Sequence, residues 1–228
     1  MNNELSNFLE DLYEELKECS NDRTFMQLYN NTGEGANKTF TEKIMSIITE
    51  SQCFKRLKYS DYQNKKEKDD SSKQKFFQKE YYRIDLVTWQ HIKIDIEKES
   101  KINLYNWKLD IAIEHENNWQ EWIDEVIKLL YIKCPVRIVI GYNEETGRDE
   151  EDRKALSDLS KILNYLYKEE NIKFLEPNQK FGIILGNGHT KSKAKDADYR
   201  LYKIRVKQEN KQVVIEKYDN KNWEPFIS

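Results

Sequence analysis

Four carboxylates in the first half of this chain are placed where acids could share a cation. Asp85 is enclosed by Ile84, Leu86 and Val87 in YRIDLV. Aspartate is disfavoured in such an apolar strand-like run, and a buried carboxylate is costly unless a cation or hydrogen-bond donors compensate it. Glu114 and Glu116 close the run WKLDIAIEHE. Strand alternation puts both on one face with Cβ atoms roughly 7 Å apart, near enough to approach one divalent ion or two neighbouring ions. Glu42 lies on a helical pattern upstream. Hard oxygen donors of this kind suit Mg²⁺ or Mn²⁺ rather than zinc. Two glutamates at a strand end also fit a strand that has simply come out into water, so the elements around them must decide.

Those elements follow from periodicity. Leu5, Phe8, Leu9, Leu12 and Leu16 recur at helical spacing with acids on the other face, which predicts an N-terminal amphipathic helix. NNTGEGANKT (30–39) has the Gly and Asn density of a loop, with Thr39 or Thr41 as a cap for the helix TEKIMSIITESQCFKRL, which buries Ile44, Ile47, Ile48 and Phe54. Residues 58–75 are almost wholly polar, with the charge run KKEKDDSSKQK, and read as a surface loop. YYRIDLVTW (81–89) reads as one strand, HIKIDI (91–96) as a second and 107–114 as a third. Along the third, Leu109, Ile111 and Ile113 share one face, and Asp110, Ala112, Glu114 and Glu116 share the other. Asn118, three residues before Glu121, has the spacing of a capping box for a helix that points Trp122, Ile123, Val126, Ile127 and Leu130 inward. Val136 to Tyr142 is a near-continuous apolar strand of the kind buried on both faces. A further helix (DRKALSDLSKILNYLYKEE), a buried strand (KFGIILG) and a hairpin (DYRLYKIRV, turn, VVIEKYD) complete the chain. With no repeat and no linker, the economical organisation is one domain over 1–228, with a core at 40–142 and a C-terminal elaboration at 143–228.

The 228 residues carry 38 Lys and Arg against 41 Asp and Glu, a net charge of -3, and the two signs are interspersed. A nucleic-acid partner would therefore have to be met by a local basic surface. Cys19, Cys53 and Cys134 are odd in number and lack metal-ligand spacing, as expected of reduced thiols in a cytoplasmic protein. The N-terminus lacks the positive start and apolar stretch of a signal peptide, and no window approaches the ~20 apolar residues of a membrane span.

This order of elements with these acids resembles the PD-(D/E)XK phosphodiesterase superfamily, the restriction-endonuclease-like nucleases. The resemblance covers residues 40–142 and implies an α/β fold: an αβββαβ core, a central mixed sheet flanked by helices, extended here by an N-terminal helix and a C-terminal α/β segment. The family's first acid falls on Asp85, its (D/E)XK element on Glu114-His115-Glu116, and the glutamate of its first core helix on Glu42. Ile84 stands where the family name has proline. Glu116 stands where it has lysine, a replacement found in some restriction enzymes of the superfamily.

The resemblance implies Mg²⁺ or Mn²⁺ held by Asp85, Glu114 and Glu116, with help from the His115 backbone carbonyl. Glu116 would activate water, and Glu42 would complete an acidic cluster. A third carboxylate in place of lysine points to two metal ions or to glutamate as general base. The implied substrate is nucleic acid, with DNA favoured, and a homodimer would suit cutting of both strands. The alternative is a nucleic-acid-binding or protein-interaction protein that keeps the fold without turnover.

Other residues carry blander readings. His115 alternates away from Glu114 and suits packing, and His91 suits an edge strand. Trp119 and Trp122 suit a core. Asp95 in HIKIDI is a rival acid ranked below Asp85. GNG at 186–188 reads as a turn, and Lys191, Lys193 and Lys195 near His189 could touch a phosphate backbone.

Overall fold

The computed structural model describes residues 5–30, 35–61, 75–81, 83–91, 107–118, 121–143, 149–169, 176, 178–188, 197–207 and 209–227. Its helices are α1 (Phe8–Cys19), α2 (Arg23–Tyr29), α3 (Ala36–Glu50), α4 (Gln52–Arg56), α5 (Trp122–Leu130) and α6 (Asp149–Lys168). Its strands are β1 (Ser60–Asp61), β2 (Lys75–Tyr81), β3 (Ile84–His91), β4 (Trp107–His115), β5 (Val136–Asn143), β6 (Lys180–Asn187), β7 (Arg200–Lys207), β8 (Gln212–Asp219) and β9 (Asn222–Ile227). All nine strands lie in one mixed sheet in chain order. β4, β5 and β6 run parallel at its centre, β2–β3–β4 form an antiparallel meander on one side, and β6–β7–β8–β9 form another on the other.

Two apolar layers cover the sheet. On one face α1, α2, α3 and α4 bury Leu9, Phe25, Ile44 and Phe54 against Leu86, Ile113, Ile138, Ile140 and Tyr142. On the other, α5 and α6 bury Trp122, Val126, Leu156 and Leu159 against Val87, Ala112, Val139 and Ile183. The strict alternation within β5 serves both layers, so the whole strand is buried. Two glycines let the helices approach closely. A Cβ on Gly182 would sit 2.2 Å from Leu9 Cδ1, and one on Gly141 would sit 2.4 Å from Trp122 Cβ.

The α/β class, the mixed central sheet and the helices on its faces agree with the sequence reading, although nine strands make a larger sheet than the expected core. YYRIDLVTW is not one strand. It is split by a turn at Arg83, whose φ of 62° is left-handed, so Tyr81 ends β2 and Ile84 begins β3. The long helix expected over Thr41–Leu57 is broken at Ser51, which takes an extended ψ of 151° and caps α4 by accepting a hydrogen bond from the Phe54 N–H. α3 begins at Ala36, after left-handed Gly35, rather than at a threonine cap. α2, β1, all of β2 before Tyr81, and β9 were not foreseen, and β1 and Lys75 at the start of β2 fall within the stretch 58–75 expected as a surface loop. The expected strand HIKIDI with Asp95, the charge run over 65–74, Trp119, His189 and Lys191, Lys193 and Lys195 lie outside the described residues. No helix among the described residues is long and apolar enough to cross a membrane.

Candidate functional site

Cross-strand register brings the first two acids together. β3 and β4 pair Val87 with Ala112 and Leu86 with Ile113, and one further step towards the Arg83 turn sets Asp85 against Glu114. The contact is direct: the Asp85 backbone N–H points at Glu114 Oε2 at 3.4 Å, and the His115 N–H donates to Asp85 Oδ2 at 2.7 Å. Glu114 is only 3% exposed, and Asp85 is half-buried. The pair sits where β4 ends, on the carboxyl side of the parallel strands, where open α/β sheets characteristically receive ligands.

Sequence reasoning missed the residue that completes this group. Lys128, on α5, places its Nζ 2.7 Å from Glu114 Oε1 and also contacts Glu125 Oε2 one turn back on the same helix. Its third proton goes to the Arg83 carbonyl at 3.0 Å. One ammonium thus ties β4, α5 and the β2–β3 turn together. Spacing along the chain cannot show this, because Lys128 reaches Glu114 only after the β4–α5 connection has folded the helix back over the sheet. The only local signal was the Glu125–Lys128 pair, three residues apart on one helix face.

Burial dominates the electrostatics. It pushes the Glu114 carboxyl up to about 8, against the lowering pull of the Lys128 hydrogen bond and with a further rise from the Asp85 charge. Asp85 is raised by burial too, an effect that the His115 N–H and the Lys128 charge reduce without reversing. For Lys128, burial pulls downward, but hydrogen bonds and charge from Glu114 and Glu125 outweigh it and leave the ammonium above its ordinary value. Lys128 therefore stays a cation at neutral pH, whereas Glu114 shares in carrying a proton.

The other two expected acids stand differently. Glu116 continues from β4, donating its N–H to the Ile140 carbonyl at 2.9 Å, and its Oε1 accepts the Asn118 N–H at 2.7 Å. Burial raises its carboxyl, as do the charges of Glu121 and Glu125. The Asn118 side chain in turn donates to Glu121 Oε2 at 2.9 Å, but the expected capping box does not form: α5 starts at Trp122, so Glu121 itself is the N-cap and Asn118 lies ahead of it, and no side chain caps the helix. Glu42 sits on α3 with its side chain 62% exposed and 4.0 Å from Lys38. Among the described residues it makes no ion pair or hydrogen bond with Asp85 or Glu114.

His115 faces away from the acids, as its alternation required. Its ring lies between Thr41 Oγ1 at 3.0 Å and Tyr142 Oη at 2.9 Å, and Tyr142 Oη in turn lies 2.9 Å from Tyr199 Oη. Phe40 packs edge-on against it at 5.3 Å between ring centres. Burial drives this imidazole down to about 3, so it is neutral. Its side chain is therefore an anchor behind the sheet for the backbone N–H that grips Asp85.

Among the described residues no three His, Cys, Asp or Glu side chains are drawn together closely enough to hold a metal ion. The pair that is drawn together nonetheless suits a hard divalent cation, because it offers two facing carboxylates whose charged forms burial penalises. A separate cavity of about 580 Å³ lies at the opposite end of β4, lined by Leu109, Asp110, Tyr131, Ile132, Cys134 and Pro135 among others. The chain matches no family model, no curated protein and no solved structure.

Proposed function

We propose that this chain is a Mg²⁺- or Mn²⁺-dependent nuclease with a restriction-endonuclease-like core, hydrolysing phosphodiester bonds of nucleic acid, with DNA the favoured substrate. The observation that carries this reading is Asp85 set directly against Glu114 across the β3–β4 ladder, with a cationic side chain delivered to the same point from α5. Between α3 and β5 the described elements run α3, α4, β1, β2, β3, β4, α5 and β5; the αβββαβ order that the resemblance implies is obtained by setting aside α4 and the two-residue β1, which moves Asp85 from the first expected strand to the second, β3, and leaves Glu114 on the third, β4.

Asp85 and Glu114 would hold the ion, which when bound would polarise the scissile phosphate and lower the pKa of an attacking water. Lys128 takes over what Glu116 cannot do from the motif position: it brings a permanent positive charge to oppose the charge that develops on the phosphate oxygens. Glu116, its carboxyl raised by burial, is the general base of this scheme, since a base works best with a pKa moved towards the working pH. Glu42 has the least in its favour, lying on the helix layer of the other face with only Lys38 beside it.

Incubation of supercoiled plasmid with Mn²⁺ tests the proposal. Nicking by the wild-type chain, lost in both Glu114→Gln and Asp85→Asn, is the expected result. A second reading, a nucleic-acid-binding or interaction protein that keeps the fold without turnover, is favoured by one feature: Lys128 already occupies Glu114. Binding of DNA without any metal-dependent cleavage would select it. Cutting of both strands would call for a homodimer, read from the appearance of linear product at rising protein concentration.

A further inference from the structure

We infer that Lys128 is the resident counter-cation of this site, and that a divalent ion binds Asp85 and Glu114 by displacing its ammonium towards Glu125. The inference rests on the reading of Asp85 and Glu114 as metal ligands.

The geometry supplies both the occupied position and the place to withdraw to. Lys128 Nζ has three acceptors, Glu114 Oε1 at 2.7 Å, the Arg83 carbonyl at 3.0 Å and Glu125 Oε2. Three protons for three acceptors leave the ammonium saturated. Glu114 is buried while Glu125 is partly exposed, with side chains 4% and 23% accessible. Release from Glu114 therefore uncovers a buried carboxylate oxygen for an incoming ion, yet leaves Lys128 its helix partner and the Arg83 carbonyl. Lysine suits this duty, because its charge is a compact point on a four-carbon stem with rotatable bonds.

The consequence is a lysine that opposes metal binding and assists catalysis. In the empty site it hydrogen-bonds the buried Glu114 carboxyl and sets a positive charge beside Asp85; with the ion bound it remains beside the site, where it can meet an anionic phosphate. Removing it should move metal affinity and turnover in opposite directions, which a purely structural contact would not do. Glu125 is the positioning residue that keeps the displaced ammonium close.

Mn²⁺ binding measured by calorimetry, and independently by the loss of the free-ion electron paramagnetic resonance signal, separates the possibilities. Lys128→Met, with a circular dichroism spectrum like that of wild type, is expected to bind Mn²⁺ about tenfold or more tighter, the order expected for removing one nearby unit charge. It is also expected to cleave DNA more slowly. Lys128→Arg keeps the charge and should bind no tighter than wild type. The inference is overturned if Lys128→Met binds no tighter than wild type, or if Lys128→Arg binds as tightly as Lys128→Met. In either case the metal-site reading still stands, provided wild type binds Mn²⁺ and Asp85→Asn does not. If neither wild type nor Lys128→Met binds Mn²⁺, the metal-site reading fails and the inference fails with it. Binding by Lys128→Met alone supports both.

Discussion

Glu114 and His115 are adjacent in sequence, and burial drives their proton affinities in opposite senses. Glu114 rises from 4.5 to about 8, so the folded chain keeps a proton that the unfolded chain releases. The stability this contributes is present in full below about 4.5 and is lost as the pH rises towards 8. His115 falls from 6.5 to about 3, so the unfolded chain takes up a proton that the folded chain refuses. Its contribution is present above 6.5 and is lost as the pH falls towards 3. Urea midpoints measured across this range should show Glu114→Gln flattening the alkaline limb while leaving the acid limb in place. His115→Gln should flatten the acid limb and lower stability at neutral pH by about 1–3 kcal/mol, the usual consequence of disturbing buried hydrogen bonds. Identical limbs in wild type and both variants would contradict these assignments. At this scale the acids were legible in the sequence because an aspartate inside YRIDLV and glutamates ending an apolar strand each break a local pattern. Lys128 broke none: a lysine on a helix flank is ordinary until the fold turns it towards a buried carboxylate.

Between elements, the site depends on how closely α5 lies against β5. Trp122 rests on Gly141, and its Nε1 donates to Asn143 Oδ1 at 3.1 Å, which fixes the start of the helix that carries Lys128. Gly141→Ala would put a methyl group 2.4 Å from Trp122 Cβ, against the body of the side chain rather than a flexible tip. The expected cost is about 1–3 kcal/mol from overpacking, read as a lower denaturation midpoint. α5 and Lys128 should shift with it, so Mn²⁺ affinity should change although no ligand has been touched. An unchanged midpoint would mean that α5 moves freely over β5. The long apolar or amphipathic elements, α1, α5, α6, β5 and β6, were legible because one burial pattern dominates each of them. The β2–β3 hairpin was not, because aromatic and β-branched residues run straight through the turn, and only the left-handed φ at Arg83 marks it. The break between α3 and α4 was hidden for a related reason, as helix-compatible residues flank Ser51 on both sides.

Across the whole molecule, one sheet joins the acid pair to the C-terminal half, and a second buried polar group secures that junction. Asp152 on α6 is fully buried, accepting hydrogen bonds from Arg200 and Tyr202 on β7 and from the Asn143 side chain at the end of β5. Arg200 also reaches Asn187 at the end of β6. Asp152→Ala leaves the buried Arg200 with only the exposed Asp198 carboxylate, at 3.4 Å, and should cost about 3–5 kcal/mol, whereas Mn²⁺ affinity should hold, since none of these groups contacts Asp85 or Glu114. Loss of metal binding in that variant without loss of stability would contradict this division of labour. The nine-stranded extent of the sheet could not be read from the sequence, because β9, with Pro225 and no fully buried residue, carries little of the alternation that announces a strand.

Everything functional converges on the facing side chains of Asp85 and Glu114. A crystal of the wild-type chain soaked in Mn²⁺ and measured at the manganese absorption edge addresses that pair most directly. The expected result is an anomalous peak beside the Asp85 and Glu114 carboxylates, with the Lys128 ammonium drawn back to Glu125. A crystal that takes up manganese elsewhere, or none at all while Lys128 stays on Glu114, would contradict it.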